Sequence, residues 1–263
     1  MPNRPEEGKP QKAAISASVR TKEQLSALLK TPPARIYLPY SFEPEKWPKL
    51  PEGVEFALTL PRVFEPGMEK AVKRQIEKAK EAGVSALLAG SLGTFSAALE
   101  YDMPVYGDAG LNLANSHALW QAQQLGLAGA TASFELTLAQ IRGLASKLPL
   151  EVLAYGRLPL MLLKRCMMKN CKNCTGEMTI FDRRGEPVYI TKEYGCQNQL
   201  WNGHVLWLQD KLSEWNAGPA LLRLVFTDET PARCAEVLQA YQNNDPCPMP
   251  EVFTRGLYYR GVQ

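Results

Sequence analysis

Four of the six cysteines in this 263-residue chain fall between Cys166 and Cys196, in the pattern C-x4-C-x2-C-x21-C. Cys166, Cys171 and Cys174 crowd into nine residues, and Cys196 returns after a segment that reads as a β-hairpin. Thiolates spaced like this can close a four-sulfur pocket. The order C-x4-C-x2-C…C is the one used in plant-type iron–sulfur ligation, and zinc sites use similar spacings. A disulfide pair and ordinary buried thiols are competing explanations of the same residues. Cys234, in PARCAEVLQAY, sits in a helical pattern and reads as a buried thiol; Cys247 lies between prolines and has no evident partner.

Hydrolytic chemistry is poorly supplied. The chain has two histidines, His117 and His204, and no H-E-x-x-H pair for a catalytic zinc. It lacks a G-x-S-x-G elbow, and a cysteine nucleophile ordinarily needs a histidine to make its thiolate. As lone histidines, both read first as packing or helix-start residues.

The elements that must position these groups alternate regularly. Short apolar or β-branched runs occur at Ala13–Val19, Arg35–Leu38, Val54–Leu60, Val84–Ala89, Pro104–Tyr106, Ala130–Phe134, Leu150–Tyr155 and Leu221–Thr227. Helical patterns lie between them at Thr21–Leu29, Glu69–Glu81, Ser116–Leu125, Leu136–Lys147, Lys211–Trp215 and Pro231–Gln242. Thr21 with Gln24 forms a capping signature, and Val72, Ile76 and Ala79 share one face of the second helix. Eight strands, most followed by a helix, predict an α/β fold, a (β/α)8 TIM-type barrel, with a cysteine-rich hairpin insertion after strand seven. A doubly wound open sheet is the alternative, but no G-x-G-x-x-G turn follows the first strand. The expected organisation is a linker-like, Pro-rich N-terminus over 1–12, a barrel over 13–243 that includes the cysteine-rich insertion 158–201, and a tail over 244–263.

Barrel enzymes build their sites from the C-terminal ends of the strands. That rule singles out Arg157, Glu135, Asp108 and Tyr155 as catalytic candidates, with Arg62, Asn112, Asn115 and His117 as substrate-binding ones. Arg157 directly precedes the insertion, where a guanidinium would pair with a carboxylate or phosphate. Helix capping is the plain alternative for Asn112, Asn115 and Glu135. Lys164, Arg165, Lys169, Lys172, Arg183 and Arg184 surround the cysteines and suit either an anionic cluster or RNA phosphates, if they are not simply a solvated surface. Trp201, Trp207 and Trp215 lie in a stretch of helical character and read as core.

Composition sets outer bounds. With 45% hydrophobic and 22% charged residues the chain is an ordinary globular one, and a net charge of +3 does not by itself argue for nucleic acid. There is no eighteen-residue apolar run, and MPNRPEEGKPQK has no apolar signal core, so the expectation is a cytoplasmic protein without membrane contact whose thiols stay reduced.

Several stretches resemble the collagenase-like peptidase family of unknown catalytic type, number thirty-two. They are GDAGLNLANSHAL (Gly107–Leu119), SFELTLAQI (Ser133–Ile141), AYGRLPLMLLKRC (Ala154–Cys166), IFDRRGEPV (Ile180–Val188), Cys196 to Asn202 and LRLVFTDET (Leu222–Thr230). The closing FTRGLYYRGV (Phe253–Val262) is similar to the end of the long, two-barrel members, which makes a preceding barrel of the same protein an expected partner. The resemblance implies a four-iron four-sulfur cluster on Cys166, Cys171, Cys174 and Cys196, with zinc as the alternative cofactor. Because cysteine spacing varies among the branches of the family, Cys234 competes with Cys196 as fourth ligand. It also implies oxygen-independent hydroxylation of an RNA base, as family members hydroxylate RNA bases or a ubiquinone precursor. RNA and a small carboxylic acid of the prephenate type are then expected partners. Relatives described as collagen-degrading keep a peptidase reading open, and a non-catalytic, cluster-bearing or substrate-binding module of a longer protein is the third.

Overall fold

The protein is described by a computed structural model covering residues 12–168, 174–215 and 218–261. Eight parallel strands close on themselves. They are β1 (Ala14–Ser18), β2 (Arg35–Leu38), β3 (Glu55–Thr59), β4 (Ala86–Ala89), β5 (Val105–Gly107), β6 (Gly129–Thr131), β7 (Leu150–Leu163) and β11 (Leu221–Val225). Each pairs with the next, and β11 joins β7 to β1. This is the closed (β/α)8 barrel that the alternation predicts, and the open-sheet alternative falls.

The helices are α1 (Lys22–Leu28), α2 (Glu69–Glu81), α3 (Leu92–Ala98), α4 (Ser116–Gln124), α5 (Leu138–Arg142) and α6 (Pro231–Asn243). Thr21 caps α1 as its sequence predicts: its hydroxyl accepts from the Gln24 amide at 3.2 Å, and the Gln24 side chain accepts from the Thr21 amide. Val72, Ile76 and Ala79 are the buried face of α2. α5 is shorter than its expected span of Leu136–Lys147 because Gly143 closes it after a Thr137–Gln140 capping box. Lys211–Trp215 is not an α-helix but part of a 3-10 turn over Gln209–Trp215. The short helix α3 has no counterpart among the expected elements; Ser91 caps it through the Thr94 amide.

Strand β7 does not stop at the rim. It bends at Gly156, where φ is 105° and where the Val225 carbonyl occupies the space a side chain would need, and then runs on to Leu163. Beyond the barrel it pairs antiparallel with β10 (Asn198–Trp207), which pairs with β9 (Pro187–Lys192), which pairs with β8 (Glu177–Phe181). The β8–β9 turn is polar as expected: Asp182 accepts from the amides of Arg184 and Glu186. Trp201 and Trp207 therefore lie on a strand rather than a helix, although Trp207 and Trp215 are core residues. A short strand, β12 (Phe253–Thr254), pairs with β10, and Tyr258 is fully buried with its hydroxyl donating to the Leu153 carbonyl. Phe253, Thr254 and Tyr258 thus pack the described part of the stretch after 243 onto the barrel.

Candidate functional site at the barrel mouth

The barrel interior is polar. Glu151 of β7 accepts from Ser16 of β1 at 2.5 Å, from Tyr37 of β2 at 3.0 Å and from Thr131 of β6 at 3.1 Å. The bonds from Ser16 and Tyr37 join strands that are not neighbours of β7, so they cross the inside of the barrel, and the Thr131 bond joins the adjacent β6. Arg223 of β11 donates to Glu151 through Nε at 2.7 Å and also through Nη2, and its guanidinium lies 4.1 Å from the Tyr37 ring centre. Nearer the strand starts, Arg35 pairs with Glu55 at 2.5 Å and stacks on Tyr106. Burial works against the Arg223 charge, but Glu151, Tyr37 and Asp108 more than offset it and the pKa is raised. For Tyr37, burial is the main cause of a raised pKa, followed by Glu151.

Above this layer the mouth opens into a cavity of about 480 Å³. Ser18, Tyr37, Thr59, Asp108, Arg223 and Val225 come to it from the strands and their ends, and Arg20, Tyr40 and Arg62 from the loops behind them. The far wall is the cysteine-bearing sheet: Lys192, Glu193, Tyr194, Gly195, Gln197, Gln199 and Trp201. An ion pair between Arg20 and Glu193 at 2.7 Å and an edge-on contact of Tyr40 with Tyr194 clasp that wall to the rim. Arg223 reaches Asp108 at 2.7 Å, so the buried charge layer continues to the floor of the cavity. Gly90 and Gly110 leave room for Arg62; a side chain on Gly110 would sit 2.8 Å from its Nε.

Of the residues that the sequence puts forward, Arg62 and Asp108 line this cavity and the other six do not. Tyr155 is turned outward into an aromatic cluster with Trp207, Phe226 and Tyr241, because the register between β7 and β11 shifts at Arg223 and Leu224. Arg157 is held by both oxygens of Asp228 at 3.0 Å, donates to the Gly203 carbonyl, and lies over the Tyr189 ring. It clamps the bulged part of β10 to the loop after β11 rather than facing the mouth. Asn115 caps α4 through the Ala118 amide, and Asn112, in the left-handed region at φ 50°, ends a 3-10 turn. Glu135 and His117 are exposed. Sequence reasoning missed Ser16, Tyr37, Glu151 and Arg223, and also Arg20, Tyr40, Glu193 and Trp201. The signal for the first group was present: Glu151 in LEVLAY and Arg223 in LLRLVF are charges inside strand-like runs.

Cys166, Cys174 and Cys196 flank one end of the extended sheet. At that end Asn198 pairs with both Leu163 and Lys192, and Glu177 pairs with Thr191. Cys166 follows Leu163 by three residues, Cys174 precedes Glu177 by three, and Cys196 sits between β9 and β10. The Cys166 and Cys174 sulfurs both contact Met168, the latter 3.3 Å from its thioether. Cys196 is exposed, and Cys171 lies outside the described residues. Cys166, Cys174 and Cys196 at one sheet end are thiol donors of the kind that suit iron or zinc. Among the described residues, however, no three Cys, His, Asp or Glu side chains are drawn together around one point. Cys234 is buried on α6, with burial pushing its thiol up to about 12, and is a poor source of a thiolate ligand.

A barrel with its cavity at the strand C-termini is the general arrangement of barrel enzymes. The sequence model of peptidase family U32 matches residues 51–177, just under half of the chain. Among solved structures it is similar to the U32 peptidase Mk0906, at 12% identity and a TM-score of 0.47, over 88% of this chain and 98% of that one. It is also similar to the Bacillus cereus spore cortex-lytic enzyme SleL, at 9% identity and a TM-score of 0.40, over 88% of this chain and 75% of that one. No curated protein sequence matches it. Among the described residues no helix is long and apolar enough to cross a membrane.

Proposed function

We propose that this chain is an iron–sulfur member of family U32 that acts at the barrel-mouth cavity in oxygen-independent hydroxylation of an RNA base. One observation carries the reading: Tyr194, Gly195 and Gln197, on either side of Cys196, are cavity wall. A group held by Cys166, Cys171, Cys174 and Cys196 would therefore border whatever fills the cavity. When bound, a four-iron four-sulfur cluster supplies electron transfer or Lewis acidity there. The chain's own residues provide the rest. Arg62 offers a guanidinium suited to the carboxylate of a small acid co-substrate, and Asp108, held by Arg223, offers a carboxylate to orient or receive a proton. Trp201, Tyr40 and Tyr194 offer aromatic faces for a base. Arg183 and Arg184 are exposed at the hairpin turn, as phosphate contacts must be.

The peptidase reading finds less support. Neither histidine lines the cavity: His117 is exposed on α4, and His204 is bonded to Glu186 on the hairpin sheet at 2.6 Å. A purely structural module would have no need of an open, 480 Å³ cavity lined by charges.

The test is anaerobic purification with iron and sulfide assay and a visible spectrum. The expected result is a brown protein with absorption at roughly 400 nm. Serine at Cys166, Cys171, Cys174 or Cys196 should lower its iron content, and Cys247→Ser should not. Undiminished iron in all four variants overturns the ligand set, and a colourless protein with stoichiometric zinc overturns the cluster. For the substrate, mass spectrometry of RNA from anaerobically grown cells lacking the protein should reveal a lost hydroxylated base. An unchanged set of modified bases refutes the RNA reading.

A further inference from the structure

We infer that Asn198 is the positioning residue of the thiol set, tying its first member to its last. The inference rests on the cluster reading above. Asn198 opens β10 two residues after Cys196, and it is fully buried. Its side-chain oxygen accepts from the Met167 amide at 2.5 Å, and its side-chain nitrogen donates to the Gln197 carbonyl at 3.0 Å. One side chain thus joins the residue after Cys166 to the residue after Cys196. Its backbone is paired on both sides, with Leu163 and with Lys192, so it is a fixed point in the sheet.

A central strand position normally takes a β-branched or aromatic residue, and a buried amide is costly unless its bonds are made. Here they are made, and one of them serves the segment that carries Cys166. The ladder between β7 and β10 ends at Leu163, so the Met167 amide has left the sheet and Asn198 supplies an acceptor for it.

The turn before Asn198 is itself held open for a side chain. Gly195 has φ 66° and Cys196 has φ 60°, both in the left-handed region. Glycine is at ease there and cysteine is not. A cysteine in that conformation, exposed and followed two residues on by a side chain bonded to the other cysteine segment, fits a thiol kept for ligation. Ligands are oriented by such outer bonds, whose loss weakens metal binding by about 10- to 100-fold.

The experiment compares wild type, Asn198→Ala and Asn198→Asp after anaerobic reconstitution with ferrous iron and sulfide. It reads iron per chain, the rate of iron release to a chelator, and the melting temperature of the metal-free chain. Asn198→Ala should release iron roughly 10- to 100-fold faster, with a metal-free melting temperature close to wild type. Asn198→Asp keeps the acceptor for Met167 but loses the donor to the Gln197 carbonyl, and should release iron at a rate between those of wild type and Asn198→Ala. Iron held equally tightly by Asn198→Ala overturns the inference, and so does an aspartate variant as weak as the alanine one. Should Asn198→Ala fail to fold, Met167→Pro deletes the same bond from the donor side, and unchanged iron release there overturns the inference. A wild-type chain that takes up neither iron nor zinc overturns the cluster reading itself, before any variant is compared.

Discussion

Replacing Glu151 with leucine should be among the most damaging single changes in the barrel. Glu151 is 3% exposed and accepts from Ser16, Tyr37, Thr131 and Arg223, so its removal strands four donors in the interior. Arg223, itself 3% exposed, keeps only Asp108 as a counter-charge. Breaking a buried pair by deleting one partner costs about 3–5 kcal/mol, because the other charge remains without water. For a domain of this size each kcal/mol lowers the melting temperature by roughly 2–4 °C, which gives a drop of roughly 6–20 °C. The assay is denaturant unfolding at neutral pH, with the slope checked for constancy. The double variant Glu151→Leu with Arg223→Leu should be more stable than the sum of the single losses predicts, by at least about 2 kcal/mol. A single-variant cost under about 1 kcal/mol, or strict additivity in the double variant, would show that this layer is not a coupled charge network.

Two further outcomes follow from the same geometry. Burial tends to raise the Asp228 carboxyl, but the Arg157 bonds outweigh it and hold its pKa below the ordinary carboxylate value. A depressed acid stabilises the fold above its ordinary pKa and loses that contribution as pH falls through the folded value. The wild type should therefore lose this contribution as pH falls below the ordinary carboxylate value and through the lower folded one. In Arg157→Ala that extra loss should be absent, and parallel acid profiles from urea midpoints would refute the pairing. Cys234, its thiol pushed up to about 12, should resist iodoacetamide at pH 8 in the folded protein while the exposed Cys196 is modified. Peptide mass spectrometry reads both sites, and equal labelling rates would mean that α6 opens readily.

Much of the scaffold was legible because its signals are local. The Thr21 capping box and the buried face of α2 were stated by residues a few positions apart. α3 was not: LGTFSAA is short, mixes small and polar residues, and carries Gly93, so no 3.6-residue stripe emerges. The length of β7 was hidden by Pro159 and Gly156, which read as the end of a strand but here mark a bend and a bulged pairing. That bend also misdirected the site. Counting by twos from Leu153 puts Tyr155 on the inner face, yet the register shift turns it outward, and no local pattern announces a bulge. Glu151 and Arg223 were legible in principle, since a charge inside an apolar strand is unusual, but only closure of the barrel brings them together.

The continuity of β7 bears on how this protein can be re-engineered. Its fourteen residues span about 46 Å at a strand's rise, serving first as a stave of the barrel and then as the inner edge of the cysteine-bearing sheet. Its partner β10 does the reverse, leaving that sheet to bring Trp207 into the core. The cysteine segment therefore cannot be swapped as a cassette between Leu158 and Trp201, because both graft points lie in mid-ladder and a one-residue slip on either side would turn every side chain of β7 or β10 to the opposite face. Transplants from related barrels should instead be joined within the same register, where Leu163 faces Asn198, leaving the two long strands to the host.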